Sequence, residues 1–193
     1  VLLTNIASAV FAFSTLAQSL VLPQILQLPA STGHGLGQSL LVTGLVLVPS
    51  GLVMMAMAPV SARISNARGP RATLMLGTVV VAFGYGTGVV LMSAVWQLVV
   101  VSSVIGAGIG LAYGAMPGLI MGTVPAAETA AANSLNTLMC AIGTSISSAV
   151  AGVVLTQVTV PSSFRLIMGL GAATALLACA VAAFIPRLSR RTP

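Results

Sequence analysis

The chain alternates long apolar stretches with short polar or proline-containing breaks. A helix that crosses the hydrocarbon of a bilayer needs about 20 residues, each advancing about 1.5 Å. Stretches of that length predict six spans, at about 3–26, 39–61, 72–94, 98–122, 131–156 and 166–185. The first ends near Pro23, and a polar loop from Pro29 to Gln38, holding His34, follows it. The second contains Pro49 and Pro59 and leads into a charged loop from Arg63 to Arg71. A short turn at Val95–Gln97 places Trp96 at interface depth, where its amphipathic ring is suited. The loop 123–130 holds Pro125 and Glu128, and the loop 157–165 holds Pro161 and Arg165. Pro186 stops the last span before an arginine-rich tail.

Polar positions within the spans have helical spacing. In the fifth, Asn133, Thr137, Cys140, Thr144 and Ser147 or Ser148 fall on one face, with Asn136 beside it. In the first, Thr4 or Asn5, Ser8, Thr15, Gln18 and Ser19 form a similar face. Such groups need partners in hydrocarbon, so both faces are expected to meet protein or water. Interhelical hydrogen bonding and the lining of a substrate cavity both remain open for them. The sixth span is nearly bare, and the third and sixth have the look of lipid-facing helices. The fourth repeats glycine every four residues, at Gly106, Gly110, Gly114, Gly118 and Gly122. That ridge lets a neighbouring helix approach closely. Pro117 beside it removes one backbone bond, so the ridge suits tight packing or a part that slides.

Composition turns this pattern into a class. Charged residues are 4% of the 193, against about 25% in soluble domains. Hydrophobic residues are 58%, and the mean hydropathy is +1.12. A water-soluble domain and a disordered chain are both excluded. The seven basic residues are all arginines, and they flank the apolar runs. The net charge of +6 therefore reads as membrane orientation and not as nucleic-acid binding. Arg63, Arg68, Arg71, Arg187, Arg190 and Arg191 share one side, and Arg165 lies on the other. The positive-inside rule then puts both chain ends in the cytoplasm.

Catalytic chemistry is absent from the pattern. No acid pair, nucleophile–base pair or metal-ligand spacing occurs, so an enzyme, a metal and a cofactor are not expected. Cys140 and Cys179 read as small packing residues, and His34 as a solvated loop residue. Glu128, the one acidic residue, reads as a first-turn charge for the fifth helix. Gly106, Gly108 and Gly110 resemble a dinucleotide fingerprint, but they lie inside an apolar span with no strand before them. The chain starts at Val1 with no basic leader and reads as a piece of a longer protein.

Three segments resemble the major facilitator superfamily, specifically a C-terminal six-helix half. PVSARISNARGPR, from Pro59 to Arg71, is similar to the second copy of that family's cytoplasmic loop motif. Gly69 and Arg71 match it, and Asn66 stands at its aspartate position. The stretches from Ile105 to Asn133 and from Leu135 to Leu155 resemble the corresponding helices of the fourteen-span drug:proton antiporter branch. That branch often has arginine at the position of Cys140.

The resemblance implies an all-α membrane fold with six transmembrane helices in a 3+3 inverted repeat, over residues 1–193. It also implies an N-terminal half outside this sequence, in which proton-coupling acids commonly lie. The first and fourth helices would line a central cavity, helped by the second and fifth. The function implied is secondary active transport, a proton-coupled efflux of hydrophobic or amphipathic small molecules by alternating access. That is the activity of a multi-pass plasma-membrane antiporter of the multidrug-resistance type. The expected partners are the lipid bilayer, the other half, a small-molecule substrate and protons. The expected substrate residues are Thr15, Gln18, Tyr113, Asn133, Asn136, Thr137 and Thr144. The expected cytoplasmic gate is Arg63, Asn66, Arg68, Gly69 and Arg71. An inert orphan half and a self-assembling six-span channel or carrier are the rival readings.

Overall fold

A computed structural model of the chain describes residues 1–29, 35–91, 94–157 and 160–185. His34, Pro186 and the tail arginines Arg187, Arg190 and Arg191 lie outside the described residues. Six long helices carry the fold: α1 (Leu2–Gln27), α2 (Leu40–Arg68), α3 (Pro70–Val90), α4 (Val95–Met121), α5 (Thr129–Gln157) and α6 (Val160–Ala183). All six are long and apolar enough to cross a membrane. Among the described residues there is no strand.

Three expected loops are helical instead. Arg63, Asn66 and Arg68 belong to the last turns of α2, which continues to Arg68. The chain breaks only at Gly69, whose φ is +88°, and α3 starts at Pro70. Glycine tolerates that conformation, and proline at the first helical position gives up an N–H that has no intrahelical partner. The turn is cross-braced by Ser65 Oγ donating to Thr73 Oγ1 at 2.9 Å. The expected turn at Val95–Gln97 is the first turn of α4, where Trp96 is exposed. Pro161 and Arg165 sit in the first turns of α6.

The end of α1 shows how a helix terminus is closed. Its last carbonyls are met by the chain turning back along it. Leu36 N–H donates to Ile25 at 3.1 Å, Gln38 N–H to Leu26 at 2.7 Å and Gly37 N–H to Leu28 at 2.9 Å. A Cβ on Gly35 would fall 2.0 Å from the Leu28 carbonyl oxygen, so only glycine fits there. Ser39 then caps α2, its hydroxyl accepting from Val42 N–H.

The packing has an exchange symmetry. The extensive contacts are α1 with α5 and α6, α4 with α2 and α3, and α3 with α6. Swapping α1 with α4, α2 with α5 and α3 with α6 returns the same set. Helices that alternate in direction make α1 and α4 antiparallel, so the swap is the operation of a 3+3 inverted repeat.

Polarity is a poor guide to which helices are central. α3, expected to face lipid, is one of the most buried, whereas α2 and α5 are the least buried. Without a hydrophobic drive between helices in lipid, close approach comes from small residues. α3 supplies them at Gly77, Gly84 and Gly88. A Cβ on Gly77 would fall 2.8 Å from the Gly108 carbonyl oxygen of α4.

Candidate functional site

The polar residues of α1 and α5 sort into a seam and an open face. Along the seam, Asn136 is buried, and its Nδ2 donates to Asn5 Oδ1 at 3.0 Å and to Ser8 Oγ at 2.7 Å. Ser147 Oγ donates to the Phe13 carbonyl at 2.7 Å. Between these two, Gly143 lies against the backbone of Ala9. Residues 132, 136, 140, 143, 147 and 151 therefore make one helix face of α5, turned to α1.

The adjacent face of α5 is polar and uncovered. Thr137 and Ser148 are exposed, and Asn133 and Thr144 are half-buried. Thr137 Oγ1 donates to the Asn133 carbonyl at 3.0 Å, and Thr144 Oγ1 to the Ala141 carbonyl at 2.9 Å. The stripe expected from sequence thus straddles two faces, because Cys140 and Ser147 belong to the seam. A third face, with Leu135, Leu138, Ile142, Ile146 and Val153, is exposed and apolar.

Tyr113 of α4 stands beside α1 and α5. Its ring meets Phe11 edge-on, with centroids 5.5 Å apart at 75°. Its phenol neighbours the Thr15 hydroxyl and the Cys140 thiol. Thr15 also donates to the Ala12 carbonyl at 2.8 Å. Thr15 and Tyr113 therefore come together, while Asn133, Thr137 and Thr144 share the neighbouring open face.

Gln18 stands apart, at a junction of four helices. Its side-chain Nε2 donates to Ser50 Oγ of α2 at 2.8 Å and to the Ser102 carbonyl of α4 at 3.3 Å. Its backbone N–H donates to the Tyr85 hydroxyl of α3 at 3.2 Å, and that hydroxyl donates to the Ser14 carbonyl. Tyr85 is fully buried. Its hydroxyl bonds to both groups of the Ser14–Gln18 rung of α1. Sequence reasoning missed Tyr85 and Ser50, because each lies in a stretch with no polar periodicity. A lone tyrosine within an apolar span, which needs a partner for its hydroxyl, was the available signal.

The glycine ridge is graded. A Cβ on Gly106 would fall 2.6 Å from the Ser50 carbonyl oxygen, and one on Gly110 would fall 2.5 Å from that of Met54. One on Gly114 would fall 2.6 Å from Ser61 Oγ. Ser61 Oγ in turn donates to the Leu111 carbonyl at 2.9 Å. At Gly118 the nearest atom is 3.4 Å away, ordinary contact with Pro70, and Gly122 is the cap that ends the helix. At the arginine-bearing end, Arg63, Asn66 and Arg68 are exposed. Arg71 instead donates to the carbonyl of Ala183, the last residue of α6, where a cation is favoured.

Among the described residues no group of His, Cys, Asp and Glu could hold a metal ion. Six apolar helices thus pack as an inverted repeat and leave a polar face of α5 uncovered. The family model of the Major Facilitator Superfamily matches residues 4–193.

The chain belongs to the major facilitator superfamily.

Membership makes it a membrane-embedded secondary transporter of small molecules and not an enzyme. Among curated proteins, none matches it significantly. Within this superfamily chain, the least buried helices, α2 and α5, each pack chiefly along one neighbour, α4 and α1 respectively.

Proposed function

We propose that this superfamily chain is the C-terminal half of a proton-coupled efflux transporter of hydrophobic or amphipathic small molecules. It works by alternating access, this half rocking against an N-terminal half that covers α2 and α5. The membrane is the plasma membrane, and both ends of the chain are cytoplasmic. The observation that carries the reading is the uncovered polar face of α5. Exposed Thr137 and Ser148, with half-buried Asn133 and Thr144 beside them on a spanning helix, belong beside water or protein rather than lipid.

In this reading Asn133, Thr137 and Thr144 face the substrate, and Thr15 and Tyr113 form the adjoining wall. Asn136 holds α1 to α5 behind them, and Gln18 closes the cavity toward α2 and α4. Arg63, Asn66, Arg68, Gly69 and Arg71 form the cytoplasmic gate, with Arg71 anchoring α3 to the end of α6. The described spans of this half carry no carboxylate, so the coupling acid belongs to the other half.

Proteoliposomes containing the full-length protein test the proposal. A lipophilic fluorescent amine serves as cargo under an imposed proton gradient. Movement that stops when a protonophore collapses the gradient is the expected result. Movement unaffected by the protonophore, or none for any of several amphipathic dyes, counts against proton-coupled efflux.

A further inference from the structure

Gln18 commits every donor it has and leaves its side-chain oxygen alone. Its backbone N–H is held by Tyr85, and its Nε2 by Ser50 and Ser102. The amide cannot be turned over to repair this. Ser50 Oγ gives its one proton to the Ser102 carbonyl at 2.8 Å, so toward Gln18 it can only accept. A reversed amide would set Oε1 against the Ser102 carbonyl, acceptor to acceptor. The network therefore dictates that Oε1 points away, buried and unpartnered, from a residue only 9% exposed.

A buried acceptor without a donor raises the free energy of the fold, and a group that supplies the donor lowers it. The stretches 1–62 and 72–127, which build the junction, contain no charged side chain. Nothing there recruits a ligand by charge, and an anion would bring no donor. What the site lacks is one N–H or O–H.

We infer that the Gln18 side-chain oxygen is the acceptor of a donor-reading subsite, taking one hydrogen bond from an N–H or O–H of a bound molecule. Two sources share that chemistry. One is a resident water, and the other is the transported molecule, which rests on the function proposed above.

Infrared spectroscopy of the purified full-length protein in detergent separates the outcomes. Isotope-labelled glutamine side chains, with Gln18→Met subtracted, isolate the Gln18 carbonyl stretch. Phenol is the donor-bearing probe, and anisole its counterpart without a donor. A band already at the hydrogen-bonded position, and persisting in Ser50→Ala, assigns the donor to water. A band at the free-carbonyl position that phenol shifts and anisole does not assigns it to a ligand. A free band unmoved by phenol, a shift produced equally by anisole, or a hydrogen-bonded band lost in Ser50→Ala overturns the subsite. If Gln18→Met fails to fold, Gln18→Glu replaces it. A buried protonated carboxyl keeps a donor for Ser50, and its carbonyl stretch stands clear of the amide region. No readout here involves transport, so the subsite and the transport proposal fail separately.

Discussion

Gly143 of α5 lies directly on the carbonyl of Ala9 in α1, so that a Cβ at Gly143 would fall 2.1 Å from that oxygen. The obstacle is backbone on both sides, and no side chain can swing clear. Gly143→Ala should therefore prise α1 from α5 and lower the unfolding free energy by about 2 kcal/mol. Gly152→Ala on the same helix, with nothing within 4 Å of its Cβ, should instead raise it by about 0.5–1 kcal/mol through helix propensity. Denaturant unfolding of both variants in micelles makes the comparison. Equal effects would mean that the α1–α5 approach is not as close as described.

The same seam is bonded by Asn136. Its Nδ2 reaches both Asn5 and Ser8, and interhelical bonds of this kind average about 0.6 kcal/mol each. Asn136→Ala should cost about 1 kcal/mol, and a double-mutant cycle with Ser8→Ala should return a coupling near 0.6 kcal/mol. Strict additivity of the two substitutions would contradict the contact.

The α2–α3 turn depends on one backbone conformation. Gly69 has φ +88° and ψ 152°, a region open essentially to glycine alone. Gly69→Ala should cost about 2 kcal/mol, while Ala67→Gly, two residues earlier on α2, should cost about 1 kcal/mol through helix propensity. Unfolding curves of the two variants give the ordering, and a harmless Gly69→Ala would refute the turn geometry.

How legible the fold was in the sequence depends on the feature. The six spans could be counted because bilayer thickness fixes helix length, and the charges mark where hydrocarbon ends. Helix ends were harder, since Arg63 and Arg68 are at home both in a loop and in the last turns of a helix that has left the membrane. The ridge at Gly106, Gly110 and Gly114 could be found because residues four apart share a face, but its partner could not. Spacing on α4 carries no record that Ser50, Met54 and Ser61 lie opposite. The misplacement of α3 has the same root. Hydropathy reports the cost of facing lipid, whereas burial in a membrane bundle follows small residues such as Gly77 and Gly84. Within the candidate site, Thr15 and Tyr113 were foreseeable as polar groups in spans. The Gln18 junction was not, since it joins residues as far apart in sequence as Gln18 and Ser102.

The account stands or falls on whether the open face of α5 meets water. Thr137, exposed at its centre, is the position to probe. With Cys140→Ser and Cys179→Ser removing the native thiols, Thr137→Cys in the full-length protein is exposed to a membrane-impermeant thiol reagent from each side in turn. The account predicts labelling, with the favoured side changing when the proton gradient is reversed. No labelling from either side under any gradient would contradict it.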